Sequence, residues 1–240
     1  GRARPARRPQ ARPQRPRPAV RDDHAARPLL EASVPLRPGT PEWPGDTPYA
    51  CGWTARIADG SSVNLSAVTL SPHVGTHADA PLHVRDGWPA SDALPPAAFV
   101  GEAVVVDLAG AEGEVSLAAL EDAAARQGVP LRGAPRVLLR TGRTIAAGSF
   151  PDAWPWLAPE CVRALAAGGL VLLGVDAPSV DGRESKDLAT HHALFGAGAY
   201  NLENLDLRAA APGRYELLAA PLSLVGLDGA PARALLRALS

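Results

Sequence analysis

Ser71-Pro72-His73-Val74-Gly75-Thr76-His77-Ala78-Asp79-Ala80-Pro81-Leu82-His83 places three histidines and an aspartate within one short segment. The spacing His73-x3-His77 would put both imidazoles on one helical face. Pro72, Gly75 and Pro81 break such a helix. In extended chain His73, His77, Asp79 and His83 also share a face, because all four positions are odd and side chains alternate with period two. A straight strand would hold His73 and His77 about 13 Å apart, too far for one ion. The chain must therefore bend between them, and Gly75 is the residue that permits the bend. Two imidazoles and a carboxylate then converge on one divalent cation. That ligand set suits Zn²⁺ and also admits Mn²⁺ or Fe²⁺.

Outward from this segment, strand and helix signals alternate. Ser66 to Leu70, Ala103 to Leu108 (with its Val-Val-Val run), Arg136 to Thr141 and Leu170 to Asp176 read as strands. Ser116 is a helix N-cap for a segment through Gln127, stopped by Gly128 and Pro130. Pro159 opens a second helix that ends at Gly168-Gly169. Arg214 to Val225 reads as strand and Pro231 to Leu239 as a short closing helix. Strands interleaved with single helices predict an α/β fold in one domain, residues 29–240, with no internal repeat. Residues 35–52, rich in Pro, Gly and Trp without periodicity, read as a surface loop or lid.

The 240 residues are 46% hydrophobic, which excludes a wholly disordered chain; 25 Pro and 23 Gly exclude a helical bundle. No apolar run approaches the roughly 20 residues of a membrane span. Cys51 and Cys161 are too few for a disulfide framework and read as buried thiols in a reducing, cytoplasmic setting. Residues 1–21 carry eight arginines and no acid; against a total charge of −1 this leaves −9 for the rest. The tail, residues 1–28, also holds almost nothing apolar and is expected to be disordered or PPII-like. It lacks the apolar region of a secretory signal. A nucleic-acid-binding arm is the alternative use of such a tail, but the acidic body offers no interleaved basic and aromatic groove. His24, beside the tail, is assigned no role.

The string His73-Val-Gly-Thr-His77-Ala-Asp79-Ala-Pro81-Leu-His83 resembles the signature of the metal-dependent cyclase family, and within it the arylformamidase branch. The likeness extends through Trp43-Pro44-Gly45-Asp46-Thr47-Pro48, Leu173 to Asp181, Ser185 to His192, Leu202-Glu203-Asn204-Leu205 and Tyr215 to Ala234. It covers residues 33 to 240. Leu30-Glu31-Ala32-Ser33 departs from the Asp-Ile-Ser opening of the family's first strand, and the Arg/Pro tail has no counterpart there.

The resemblance implies a cyclase-like, swivelling β/β/α fold: a mixed β-sheet core with flanking helices. It implies two divalent ions, Zn²⁺ before Mn²⁺. His73, His77 and Asp79 would bind one ion, and Asp79 would bridge to a second held by His191 and Glu203. The twelve-residue spacing from His191 to Glu203 matches the family's and favours His191 over His192. His83 would be the general acid/base and Trp43 would line the substrate pocket. The implied activity is hydrolysis of N-formyl-L-kynurenine to L-kynurenine and formate in tryptophan catabolism, by a homodimer. Isatin or another cyclic amide is the alternative substrate on the same metal frame. No Ser or Cys sits in a nucleophile elbow, and Ser179 reads as a turn residue.

Overall fold

The computed structural model describes residues 28–239. Strands β1 (Leu29–Glu31), β2 (Ala50–Ala55) and β3 (Leu65–Thr69) come first. Strands β4 (His77–Asp79), β5 (Val100–Asp107) and β6 (Glu114–Val115) precede helix α1 (Leu117–Arg126). Next come β7 (Arg136–Arg140), β8 (Trp156–Leu157), α2 (Pro159–Ala167), β9 (Leu172–Val175) and α3 (Ala189–Gly196). The last four elements are β10 (Tyr200–Leu202), β11 (Gly213–Leu218), β12 (Gly229–Pro231) and β13 (Leu235–Ala238).

Seven strands form one mixed sheet in the order β1-β13-β11-β5-β7-β9-β10. β5, β7, β9 and β10 run parallel, while β11, β13 and β1 add antiparallel to the edge of β5. The Val-Val-Val run of β5 is buried on both faces, as period-two alternation requires. Val104 and Val106 join Val137, Leu139, Leu173 and Val175 against the helices, among them Leu120 of α1, Val162 of α2 and Leu194 of α3. Val105, Leu138 and Leu172 face the other way and pack with Phe99, Leu205, Leu217 and Leu236. The helices therefore lie on one face. β4, which carries His77 and Asp79, pairs with β12 in a separate ribbon, and an antiparallel bridge from His77 to Glu203 ties it to the end of β10.

α1 begins at Ser116, whose Oγ accepts from Ala119 N, and α2 opens on Pro159. β1 forms despite the departure at residues 30–33, and Ser33 bridges to Leu205. Four expectations need correction. The expected closing helix over residues 231–239 is absent: Pro231 ends β12 and β13 fills the slot between β1 and β11. Leu236 is buried while Leu235 and Arg237 are half-buried. Ladder bonds on both sides outweigh an intrinsic helix preference of at most about 0.7 kcal/mol per residue. The strand over 214–225 ends at Leu218. Cys51 is exposed rather than buried, because β2 and β3 pair only with each other, whereas Cys161 is buried under the sheet. The loop over 35–52 gives way to β2 at Ala50. The tail and its nucleic-acid alternative lie outside the described residues, except for Pro28, as does His24. No described helix is long and apolar enough to cross a membrane.

Candidate metal centre

The bend between His73 and His77 falls at Gly75, whose φ is +71°. The left-handed backbone there favours glycine, and a Cβ would meet Leu36 Cδ2 at 2.5 Å, which would have to move aside. Thr76 secures the chain beyond the bend: its hydroxyl donates to the Asn204 carbonyl at 2.6 Å and accepts from Val34 N at 2.9 Å. Residues 77–79 then run extended, and His77 and Asp79 turn into the same buried space. His77 Nδ1 lies 2.9 Å from the Gly75 carbonyl, which takes its proton and leaves Nε2 for the site. That Nε2 stands 3.2 Å from Asp79 Oδ1 and 3.6 Å from Glu203 Oε2. His73 Nδ1 is 2.7 Å from the same Asp79 oxygen.

The second half comes from α3 and β10. His191 is buried in the first turn of α3, and its Nε2 lies 3.1 Å from Asp79 Oδ2 and 3.2 Å from Glu203 Oε1. His192 is exposed and turned away, with its ring 6.0 Å from that of Trp88. Two donor triads thus share Asp79: His73 with His77, and His191 with Glu203. Asn201, which spacing did not single out, lies beneath them; its Nδ2 donates to Asp79 Oδ2 at 2.6 Å and to Glu203 Oε1 at 3.1 Å. Asp181 is another missed residue. Its carboxylate takes the His191 Nδ1 proton at 2.5 Å and the backbone N–H groups of Thr190 and His191. Asp181 and Asp228 stood in the matched blocks without a role; for Asn201 no sequence signal existed. Ser179 behaves as a turn residue, its Oγ accepting from Asp181 N.

Asp79 Oδ1 is buried without a hydrogen-bond partner, although two imidazole nitrogens face it within 3.2 Å. Buried polar atoms are seldom left so, and a cation is the natural complement. Imidazole and carboxylate donors are a fitting set for a divalent metal, and tetrahedral Zn²⁺ ligands stand about 3.3 Å apart, close to several separations here. Protons compete with a cation for these donors. Burial opposes charging of His73, but the Asp228 and Asp79 carboxylates outweigh it and push its pKa up to about 10. Burial is likewise outweighed at His191, which Asp181, Asp79 and Glu203 hold well above the ordinary imidazole value. Burial would raise Asp79, yet His77, His191 and His73 keep it well below the usual carboxylate range.

A cavity of about 450 Å³ opens over these donors, lined by His83, Ser179, Asn204 and Asp228 and walled by Trp43 and Phe150. Trp43 stands edge-on to Phe150 at 5.5 Å and to Trp154 at 5.9 Å, which forms a rigid aromatic rim. Nothing in the sequence marked Phe150. His83 lies at the mouth, its ring 4.3 Å from that of His73 and its Nδ1 3.3 Å from Asp228 Oδ2. A larger open groove of about 720 Å³ runs along α2 and α3 beside His192. It holds none of the converging donors, so the chemistry belongs to the smaller cavity.

The family model described as "Putative cyclase" matches residues 30–182. The chain belongs to this cyclase family. A kynurenine formamidase of Salinibacter ruber (strain DSM 13855 / M31) is 45% identical over 214 residues, 87% of this chain and 97% of the relative. Among solved structures, a predicted metal-dependent hydrolase from Bacillus stearothermophilus superposes with a TM-score of 0.73 at 28% identity, covering 89% of this chain and 99% of its own. Isatin hydrolase A from Ralstonia solanacearum superposes with a TM-score of 0.75 at 25% identity, covering 90% of this chain and 94% of its own. The cyclase family accounts for the mixed sheet.

Proposed function

We propose that this chain is a metal-dependent arylformamidase that hydrolyses N-formyl-L-kynurenine to L-kynurenine and formate in tryptophan catabolism. The observation that carries the reading is the pair of donor triads sharing Asp79 at the floor of an aromatic-walled cavity. Kinship to a kynurenine formamidase at 45% identity favours the formyl amide, and kinship to an isatin hydrolase at 25% gives ring opening of isatin or a cyclic amide less weight.

His73, His77 and Asp79 would hold one divalent ion and Asp79, His191 and Glu203 a second, Zn²⁺ before Mn²⁺. What two such ions supply is activation of water at neutral pH and polarisation of a carbonyl oxygen. The chain's own residues do the rest. Trp43 packs on the aryl ring and, with Phe150 behind it, aims the formyl group at the cavity floor. His83 takes the proton of the attacking water as its oxygen bonds to the formyl carbon. It returns that proton to the aniline nitrogen as the carbon–nitrogen bond breaks, because an anilide nitrogen leaves poorly unless protonated. The products are an aryl amine and formate, with the water's second proton released to solvent.

A homodimer fits the same reading. The β2–β3 ribbon carries exposed Trp53, Leu65 and Val68, and an isolated two-stranded ribbon is only marginally stable in water. A second copy is the proposed cover, and sedimentation of the full chain checks it. Unpaired Cys51 and Cys161 suit a reducing cytoplasm.

The deciding experiment is turnover of N-formylkynurenine, isatin and a cyclic imide by metal-reconstituted protein, with and without a chelator. The formyl amide should be the preferred substrate and the chelator should abolish its turnover. Faster turnover of isatin, or activity indifferent to chelation, would replace this reading.

A further inference from the structure

On the amidohydrolase reading, His83 must present one ring nitrogen ready to accept a proton, and its surroundings prepare it for that task. Ala80 links His83 and Asp228: its N–H donates to the Asp228 carbonyl at 2.8 Å, and its carbonyl accepts from His83 N at 2.9 Å. Both residues are thereby locked onto Ala80, although 145 positions separate them. On the far side Asp228 is held by the strand beyond it, where Gly229 pairs with Asp79. A Cβ at Gly229 would stand 2.9 Å from His73 Cε1, so this strand lies tight against the site.

The Asp228 side chain is gripped as well. A single oxygen, Oδ2, is 3.0 Å from His73 Nε2 and 3.3 Å from His83 Nδ1. His73 thus anchors the carboxylate while using its other nitrogen toward Asp79. A carboxylate facing Nδ1 accepts a proton from it, and the partner of one ring nitrogen decides which nitrogen carries the proton. Free histidine has no such bias toward Nδ1–H. With Nδ1 holding the proton, Nε2 keeps its lone pair for the substrate.

We infer that Asp228 is a positioning residue for the hydrolysis, holding His83 as the Nδ1–H tautomer with Nε2 free to accept the proton of the attacking water and pass it to the leaving nitrogen. Asp228 touches neither water nor substrate in this account and acts only through His83. The contact with His73 anchors the carboxylate.

The ¹⁵N shifts of His83 in the full-length protein test this without reference to any substrate. Wild type should show the Nδ1–H form, and Asp228→Asn and Asp228→Ala should lose it. An unchanged tautomer in both variants would overturn the inference, whatever the substrate proves to be. Turnover then tests the consequence. Because Asp228 also backs His73, the variants are assayed at saturating metal, where they should be fully loaded and keep the wild-type KM while kcat on the formyl anilide falls about 10–100-fold. An aryl formate ester, whose leaving group needs no proton, should lose less than the anilide, because only the base step then depends on His83. The double variant Asp228→Ala/His83→Ala should be no slower than His83→Ala. Failure to load at saturating metal, or additive losses in the double variant, would make Asp228 act through the metal site rather than through His83 and overturn the inference. An unaffected His83→Ala enzyme would sink the amidohydrolase mechanism instead.

Discussion

His191 Nδ1 stands 2.5 Å from Asp181 Oδ2, and the same carboxylate accepts the backbone N–H groups of Thr190 and His191 at the start of α3. One side chain therefore fixes the helix end, the imidazole orientation and its tautomer together. Burial would raise Asp181, but the His191 hydrogen bond and charge keep its pKa low, so it stays an acceptor. Asp181→Asn should weaken metal affinity about 10–100-fold, the usual cost of losing a carboxylate behind a ligating histidine. Competition with a chromophoric chelator measures this; an unchanged affinity would remove Asp181 from the site.

The adjacent histidines separate cleanly. His191 is buried among Asp79, Glu203 and Asp181, while His192 is exposed beside Trp88. His191→Ala should lose bound metal by elemental analysis and His192→Ala should retain it. The reverse result would move the second donor set to the outer face of α3.

Asp79 offers one oxygen to each donor set, and Asn201 Nδ2 supports it from below. Asp79→Ala should empty the centre of metal, since both triads lose their common member. Full occupancy in that variant would contradict the shared arrangement.

Much of this was legible in residue types. The bend at Gly75 followed from the distance a straight strand would impose, and the Val-Val-Val of β5 announced a strand buried on both faces. The opposite ends of the site were not legible in the same way. His191 sits on a short helix entered through Leu188 at φ +46°, which no capping signal announces. Asp228 and Asp181 reach the histidines across 145 and 10 positions, and a lone aspartate in a turn looks like any other solvated loop residue. β13 reads as a helix because Ala-Leu-Leu-Arg-Ala suits one locally, and only a vacant slot between two strands makes it a strand. Asn201 carries no local signal at all; its role exists only once β4 crosses the end of β10.

The charge balance sets a pH signature. The folded metal-free protein holds His73 up to about 10, above the ordinary histidine value near 6.5. A group raised on folding stabilises fully below its unfolded pKa and ceases to do so as pH rises through the folded one. The Asp228 and Asp79 carboxylates are lowered, so their contribution stands above about pH 4 and fades as acid protonates them. Metal-free protein should therefore be most stable between about pH 4 and 6.5 and lose Tm toward pH 10, while metal-loaded protein, with those protons displaced, should hold its Tm on the alkaline side. Binding should release protons, which calorimetry in buffers of different ionisation enthalpy reads directly. A metal-free Tm that climbs between about pH 6.5 and 9.5 would reverse the assignment.

His83 differs from every other histidine of the cluster. It is part-exposed at the cavity mouth, its ring 6.0 Å from that of His191, and it belongs to neither triad built on Asp79, although it clusters with His73 and Asp228. Its loss should leave metal binding intact, because both triads built on Asp79 are complete without it. What it should remove is proton transfer. An attacking water needs a base as its oxygen bonds to carbon, and an anilide nitrogen needs an acid as it departs. One imidazole serving both steps is worth about 10²–10⁴ in rate. His83→Ala should therefore bind metal as wild type does, keep KM within a few fold because Trp43 and Phe150 remain, and lose turnover in that range. Retained turnover with full metal would assign the proton to another group at the cavity mouth, and Asp228, beside it, would be the first to test.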